Sequence, residues 1–127
     1  MRIMIVDDNK AFREATKHFL SRNTEYQVVA EAENGNQAIE LFYMKKPDLI
    51  LMDLEMPGLN GMETTKLLLK KDQSVKIIAV SNYQEPQYIN DVIEAGFLSF
   101  VNKNNITDHL EDAIANVLNG KFYLPKE

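Results

Sequence analysis

The chain has 127 residues, 45% of them apolar, with 19 Asp or Glu against 14 Lys or Arg and a net charge of −5. That is room for one domain with a real core, and it is too acidic for a surface built to grip nucleic-acid phosphates or anionic membranes. The absence of cysteine excludes a disulfide scaffold, a thiolate metal site and a Cys nucleophile, and it suits a reducing cytoplasm.

In chain order, the first apolar run is Ile3–Val6. It is too short for a signal peptide or a membrane span and reads as a strand. Asn9 then stands where a helix cap belongs, before Phe12, Ala15 and Phe19 at helical spacing. A second strand, Gln27–Ala32, is followed by Asn34 as a cap and by Ala38, Leu41 and Phe42 on one helix face, which Pro47 brings to a close. The third strand is Leu49–Met52, and Met56-Pro57-Gly58 after it forces a loop. The fourth strand is Lys76–Val80. Ile89, Val92 and Ile93 mark the next helix, Gly96 ends it, and Phe97–Val101 is the fifth strand. Thr107 or Asn105 is expected to cap a last helix carrying Ile106, Leu110, Ala113, Ile114 and Val117, with Gly120 at its end.

Five strands alternate with five longer stretches of helical period. Three of the strands (IMIV, LILM, IIAV) are continuously apolar, as strands buried on both faces are. The second and fifth are more broken, as edge strands are. Strict alternation implies right-handed crossovers and a parallel sheet with helices on both sides. The fold expected for residues 1–127 is therefore α/β, a (βα)5 doubly wound five-stranded parallel sheet forming one domain.

Ligands of such sheets bind beyond the C-terminal ends of the strands. Asp7 and Asp8 follow the first strand, Asp53 and Glu55 the third, Ser81 and Asn82 the fourth, and Lys103 the fifth. With the first and third strands as neighbours, three carboxylates meet at one rim. Two unit charges ~4 Å apart repel by about 4 kcal/mol at an effective dielectric of ~20. A divalent cation with oxygen ligands relieves that repulsion, and Mg2+ suits it because Mg2+ takes few carboxylates and keeps waters for a phosphate to displace. Acids, cation, lysine and hydroxyl together describe a site that receives a phosphoryl group. Plainer roles exist for the same residues. Asp7 and Asp8 complement a helix dipole, Ser81 or Asn82 caps the fourth helix, Phe100 packs in an edge strand, and Gly58 and Gly61 serve a loop. His18 and His109 read as solvated helix residues, since neither lies at the expected rim.

At these positions the chain resembles the receiver domains of two-component response regulators. The matching segments are IVDDN at 5–9, MDLEMPGLNG at 52–61, AVSN at 79–82 and AGFLSFVNK at 95–103. The middle segment, with NGKFYLP at 119–125, is most similar to receivers of LuxR-type transcriptional regulators. The resemblance implies the flavodoxin-like strand order 2-1-3-4-5. It implies Asp53 as phosphoacceptor, taking a phosphoryl group from the phosphohistidine of a sensor histidine kinase or from a phosphotransfer protein. It implies Mg2+ held by Asp8, Asp53 and the backbone carbonyl of Glu55, with Asp7 acting through a water. Lys103, Ser81 and the Asn82 backbone are then expected at the phosphoryl oxygens, and Phe100 at the aromatic switch position. It further implies a signalling domain rather than an enzyme, with a homodimer as a possible phosphorylation-dependent state. A helix-turn-helix domain is expected to carry DNA binding in the whole protein, outside residues 1–127; the alternative is a stand-alone receiver acting by protein contact or in a phosphorelay.

Three departures from the family pattern bear on the site. Asn104 follows Lys103 where many receivers have a proline after a cis peptide, and a cis bond without proline costs about 3 kcal/mol. Asn82 replaces a small residue and is expected to narrow the mouth. Glu55 and Tyr83 occupy variable flanking positions. Two other classes are disfavoured by the residues themselves. An FMN carrier of this layering needs a Ser/Thr/Gly-rich loop where this chain has Asp7-Asp8-Asn9, and an Asp-nucleophile phosphohydrolase needs a second aspartate at position 9.

Overall fold

The computed structural model describes residues 1–56, 58–82 and 86–125, the side chains of 86–88 excepted. The elements are β1 (Arg2–Val6), α1 (Lys10–Leu20), β2 (Gln27–Ala32), α2 (Gly35–Lys45), β3 (Leu49–Asp53), α3 (Gly61–Lys71), β4 (Lys76–Ser81), α4 (Pro86–Ala95), β5 (Ser99–Asn102) and α5 (Ile106–Leu118). A single 3-10 turn, Lys103–Asn105, joins β5 to α5. The strands form one sheet in the order β2-β1-β3-β4-β5, and every pairing is parallel. This is the expected order, with the two broken strands at the edges.

Both faces of the sheet are covered, which explains the uninterrupted apolar runs. On one face Met4, Val6, Ile50, Met52, Ile77 and Ala79 pack with Ala38, Phe42, Leu68 and Val92 of α2, α3 and α4. On the other, Ile3, Ile5, Leu49, Leu51, Ile78 and Val80 pack with Leu20, Leu110, Ala113, Ile114 and Val117 of α1 and α5. Successive strand residues feed opposite cores, so β1, β3 and β4 are apolar on both faces until their ends at the rim.

The helix starts are set largely by asparagine. The side chains of Asn9 and Asn34 accept the backbone N–H groups of Phe12 and Gln37, as expected. Asn60 does the same for Glu63 at α3, a cap not read from the sequence because Asn60 sits inside an apparent loop. Asn60→Ala is expected to cost about 1 kcal/mol, visible as a lower urea midpoint at unchanged m-value. At α5, Thr107 lies inside the helix, and Asn105 precedes it without a side-chain cap bond. Asn102 instead caps the 3-10 turn, accepting from Asn104 N. Gly96 and Gly120 stand at helix ends with φ of +107° and +74°, a region that favours glycine. Lys46, ahead of Pro47, closes α2 in the left-handed conformation.

The fifth strand starts two residues later than expected. Phe97 is buried from the loop after Gly96, and pairing begins at Ser99. The outer edge of Ser99 is met by Tyr123, whose N–H donates to Leu98 O, so this edge is partly covered by the chain's own tail. Pro57 and Tyr83 lie outside the described residues. No helix among the described residues is long and apolar enough to cross a membrane.

Candidate functional site

The sheet register assembles the rim. Val6 pairs with Met52, so the next residues, Asp7 and Asp53, leave β1 and β3 side by side. Asp53 pairs with Val80, and Ser81 with Asn102, which places Ser81 and Lys103 at the same edge. Carboxylate oxygens of Asp7, Asp8 and Asp53 all lie within 4.8 Å of one another. Asp7 and Asp53 are 1% and 2% exposed, whereas Asp8 is open to solvent.

Lys103 reaches into this cluster, its Nζ 2.8 Å from Asp7 Oδ2 and 3.3 Å from Asp53 Oδ2. The other oxygens of the buried pair accept backbone N–H groups two residues on: Asp7 Oδ1 from Asn9 at 2.8 Å and Asp53 Oδ1 from Glu55 at 3.0 Å. These turns aim both carboxylates outward past the strand ends. Burial pushes the Asp53 carboxyl up from its ordinary 3.8 to about 6. The Glu55 amide pulls against that, the Asp7 charge adds to it, and the Lys103 ammonium offsets part. Burial alone would lower the Lys103 ammonium, but its bond to Asp7 and the charges of Asp53 and Asp7 outweigh burial and raise it. Lys103 is therefore a fixed cation.

Ser81 and Glu55 meet at the far side of Asp53. The Ser81 hydroxyl donates to Glu55 Oε1 at 2.6 Å, and the same oxygen accepts Asn82 N–H at 3.3 Å. The Glu55 carboxylate thus holds the two donors that were expected at a phosphoryl group. α4 is described from Pro86, and residues 83–85 between it and Asn82 lie outside the described residues. Phe100 faces the core shared with Met52, Ala79 and Val92 and is 6% exposed. The described residues contain no cis peptide, so the Lys103–Asn104 bond is trans.

Three features of the site were not read from the sequence. Arg13 Nη1 donates to the backbone carbonyl of Asp7 at 2.6 Å while its Nε faces Glu31 at 3.4 Å, tying the first acidic turn to β2. Its signal was electrostatic: Lys10 and Arg13 sit in the first turn of α1, where the helix dipole favours acids. Phe12 lies beneath the Lys103 ammonium; its helical spacing marked it only as core. Gly61 was assigned to a loop but opens α3, and a Cβ there would stand 2.2 Å from Asp53 O.

Comparison with known proteins agrees with this geometry. Residues 3–115 match the response regulator receiver domain family. The chain is 36% identical to the transcriptional regulatory protein DegU of Brevibacillus brevis over 98% of its own length and 52% of that protein's. It is 38% identical to the chemotaxis protein CheY of Bacillus subtilis, covering 93% of this chain and 98% of CheY. A LuxR-family two-component response regulator from Aurantimonas sp. SI85-9A1 superposes with a TM-score of 0.91 at 32% identity, over 98% of this chain and 88% of that one. The chain spans about half the length of the transcriptional regulators it matches. It belongs to the response regulator receiver domain family of two-component signalling.

Proposed function

We propose that this domain accepts a phosphoryl group on Asp53 and thereby changes its output surface. The observation that carries this is the Asp53 carboxylate, aimed past the end of β3 with Lys103 against one oxygen and two further carboxylates within 4.8 Å. A carboxylate oxygen of Asp53 attacks phosphorus while the bond from phosphorus to a histidine nitrogen of the donor breaks. The bond pair stays on the imidazole, and the product is an acyl phosphate. Receivers of this family interact with histidine kinases or phosphotransfer proteins; which one serves this chain is part of the proposal. Lys103 and the Ser81 hydroxyl, with the Asn82 N–H, would bind the phosphoryl oxygens, drawing Ser81 away from Glu55. Phe100, already turned inward, would follow Ser81 and reshape the surface of α4 and β5.

The donor set fits a divalent cation. It is all oxygen, and three carboxylates facing one ammonium leave it net negative. Asp7 Oδ2 and Asp53 Oδ2 are buried, and Lys103 is the partner that holds both. We assign Asp8, Asp53 and the backbone carbonyl of Glu55 as ligands of Mg2+, with Asp7 acting through a water. When bound, Mg2+ neutralises charge on the carboxylates and on the incoming phosphoryl oxygens. Asn82, exposed at the mouth, would slow small donors.

Acetyl phosphate or beryllofluoride is expected to modify the domain only with Mg2+ present and only at Asp53. Phosphate-affinity electrophoresis of wild type beside Asp53→Asn tests this, and equal labelling of the two would sink the assignment. Output is proposed to be transcriptional, through a helix-turn-helix domain outside residues 1–127, in a cytoplasmic protein that homodimerises on phosphorylation. The names of the long relatives support the transcriptional output; the helix-turn-helix domain, the location and the homodimer rest on the family resemblance. A stand-alone receiver acting by protein contact or in a phosphorelay is the second reading, favoured by the match to nearly all of CheY. Sequence of the gene past Glu127 separates the two. On either reading the domain signals, turning over no substrate beyond its own phosphoryl group.

A further inference from the structure

Lys103 is fixed from two directions. Asp7 and Asp53 hold its ammonium by charge, and the ring of Phe12 lies under it, with Nζ 4.7 Å from the ring centroid. A cation that close to a ring face is attracted by the ring's quadrupole, more strongly where water is thin, and the Lys103 side chain is only 17% exposed. The backbone of Phe12 is itself anchored, its N–H donating to Asn9 Oδ1 at 3.1 Å. A cavity of about 60 Å³ borders the ring, lined also by Ala15, Thr16, Phe19, Ile106 and Leu110.

A lysine is a point charge on a flexible four-carbon stem, and three carboxylates are within its reach. Yet among the described residues its ion pairs go to Asp7 and Asp53, and none joins it to Asp8. The ring face supplies the missing constraint. We propose that Phe12 is a positioning residue for phosphoryl transfer: it confines the Lys103 ammonium to the gap between Asp7 and Asp53, leaving Asp8 for the cation. This rests on the assignment of Asp53 as phosphoacceptor.

The test combines a spectroscopic readout with a kinetic series. In the wild type, with no phosphodonor present, the Lys103 ε-methylene protons are expected to be shifted upfield by the ring current, and Phe12→Leu is expected to lose that shift. Labelling by acetyl phosphate in saturating Mg2+ is expected to slow by about three- to tenfold in Phe12→Leu and to stay near wild type in Phe12→Tyr. Progressive ring fluorination at position 12 keeps the side chain's volume while draining its π face, so the rate is expected to fall stepwise along that series. A purely structural ring would leave the series flat. Equal rates across it, or Lys103 shifts that do not differ between wild type and Phe12→Leu, overturn the proposal. A wild type that takes no label would overturn the Asp53 assignment and Phe12's part in transfer together. The donor-free Lys103 shift distinguishes that failure from a missing contact.

Discussion

Gly61→Ala is expected to destabilise the domain by about 3 kcal/mol or more, the largest effect foreseen for any single methyl group here. A Cβ at this position would lie 2.2 Å from Asp53 O, 2.9 Å from Leu54 Cα and 3.0 Å from Asp53 C. All three atoms are backbone, at the end of the central strand, so no side chain can swing aside. Either α3 lifts from the sheet, with the loss of apolar contacts of the buried Leu68, or the end of β3 moves. In the second case Asp53 itself is displaced, and labelling by acetyl phosphate is expected to fall in the fraction that stays folded. Gly120→Ala is the control. Its φ of +74° penalises any side chain, but among the described residues no atom beyond its chain neighbours lies within 4 Å of the added Cβ, so its cost is limited to backbone strain of about 1–2 kcal/mol. Urea titrations of the two variants beside wild type measure the difference. Equal midpoints would show that the approach of α3 to Asp53 is not tight.

The contrast between these glycines also shows where the sequence was informative. The three central strands could be read to within one residue at each end, because strands buried on both faces are continuously apolar; each extends one residue further, to Arg2, Asp53 or Ser81. Their order followed from the resemblance to receiver domains, and with it the convergence of Asp7, Asp53, Ser81 and Lys103. The start of α3 was hidden: Met56 to Gly61 has turn composition throughout, and only the close approach to Asp53 O explains a glycine at the helix's first residue. Phe97 was misplaced into β5 for a related reason, since apolar character marks burial and not pairing. The contacts of Glu55 with Ser81, Arg13 with the Asp7 carbonyl and Phe12 with Lys103 join residues 26, 6 and 91 apart in the chain. Each depends on a side-chain direction that periodicity does not encode. Sequence thus locates the acids that strand ends deliver, whereas the groups that orient them emerge only from packing.

Asp53→Asn is expected to stabilise the metal-free domain by about 2 kcal/mol at neutral pH, although it removes the residue on which the proposed function depends. The Asp53 carboxyl is raised from 3.8 to about 6, chiefly by burial and then by the charge of Asp7. Between those values the folded chain keeps a proton that the unfolded chain has released, so stability falls as pH rises through this window and is level above it. The full displacement corresponds to ~3 kcal/mol, reduced to about 2 here because solvent reaches the site through the open Asp8 side. Asparagine keeps the oxygen that accepts Glu55 N–H at 3.0 Å, and Lys103 keeps Asp7 at 2.8 Å, so what is lost is the 3.3 Å ion pair with Lys103, which burial and the Asp7 charge already outweigh. The gain should therefore vanish below about pH 4, where both states of the wild type hold the proton. Mg2+ should narrow the gap from the other side, since binding to the folded state stabilises it by mass action and Asp53→Asn removes one of the proposed charged ligands. Denaturation midpoints of the two proteins at pH 4 and pH 7.5, with EDTA and with Mg2+, resolve all four conditions. A variant less stable than wild type in EDTA at pH 7.5 would mean that Lys103 already compensates the acidic cluster, leaving no stored repulsion for a cation or a phosphoryl group to relieve.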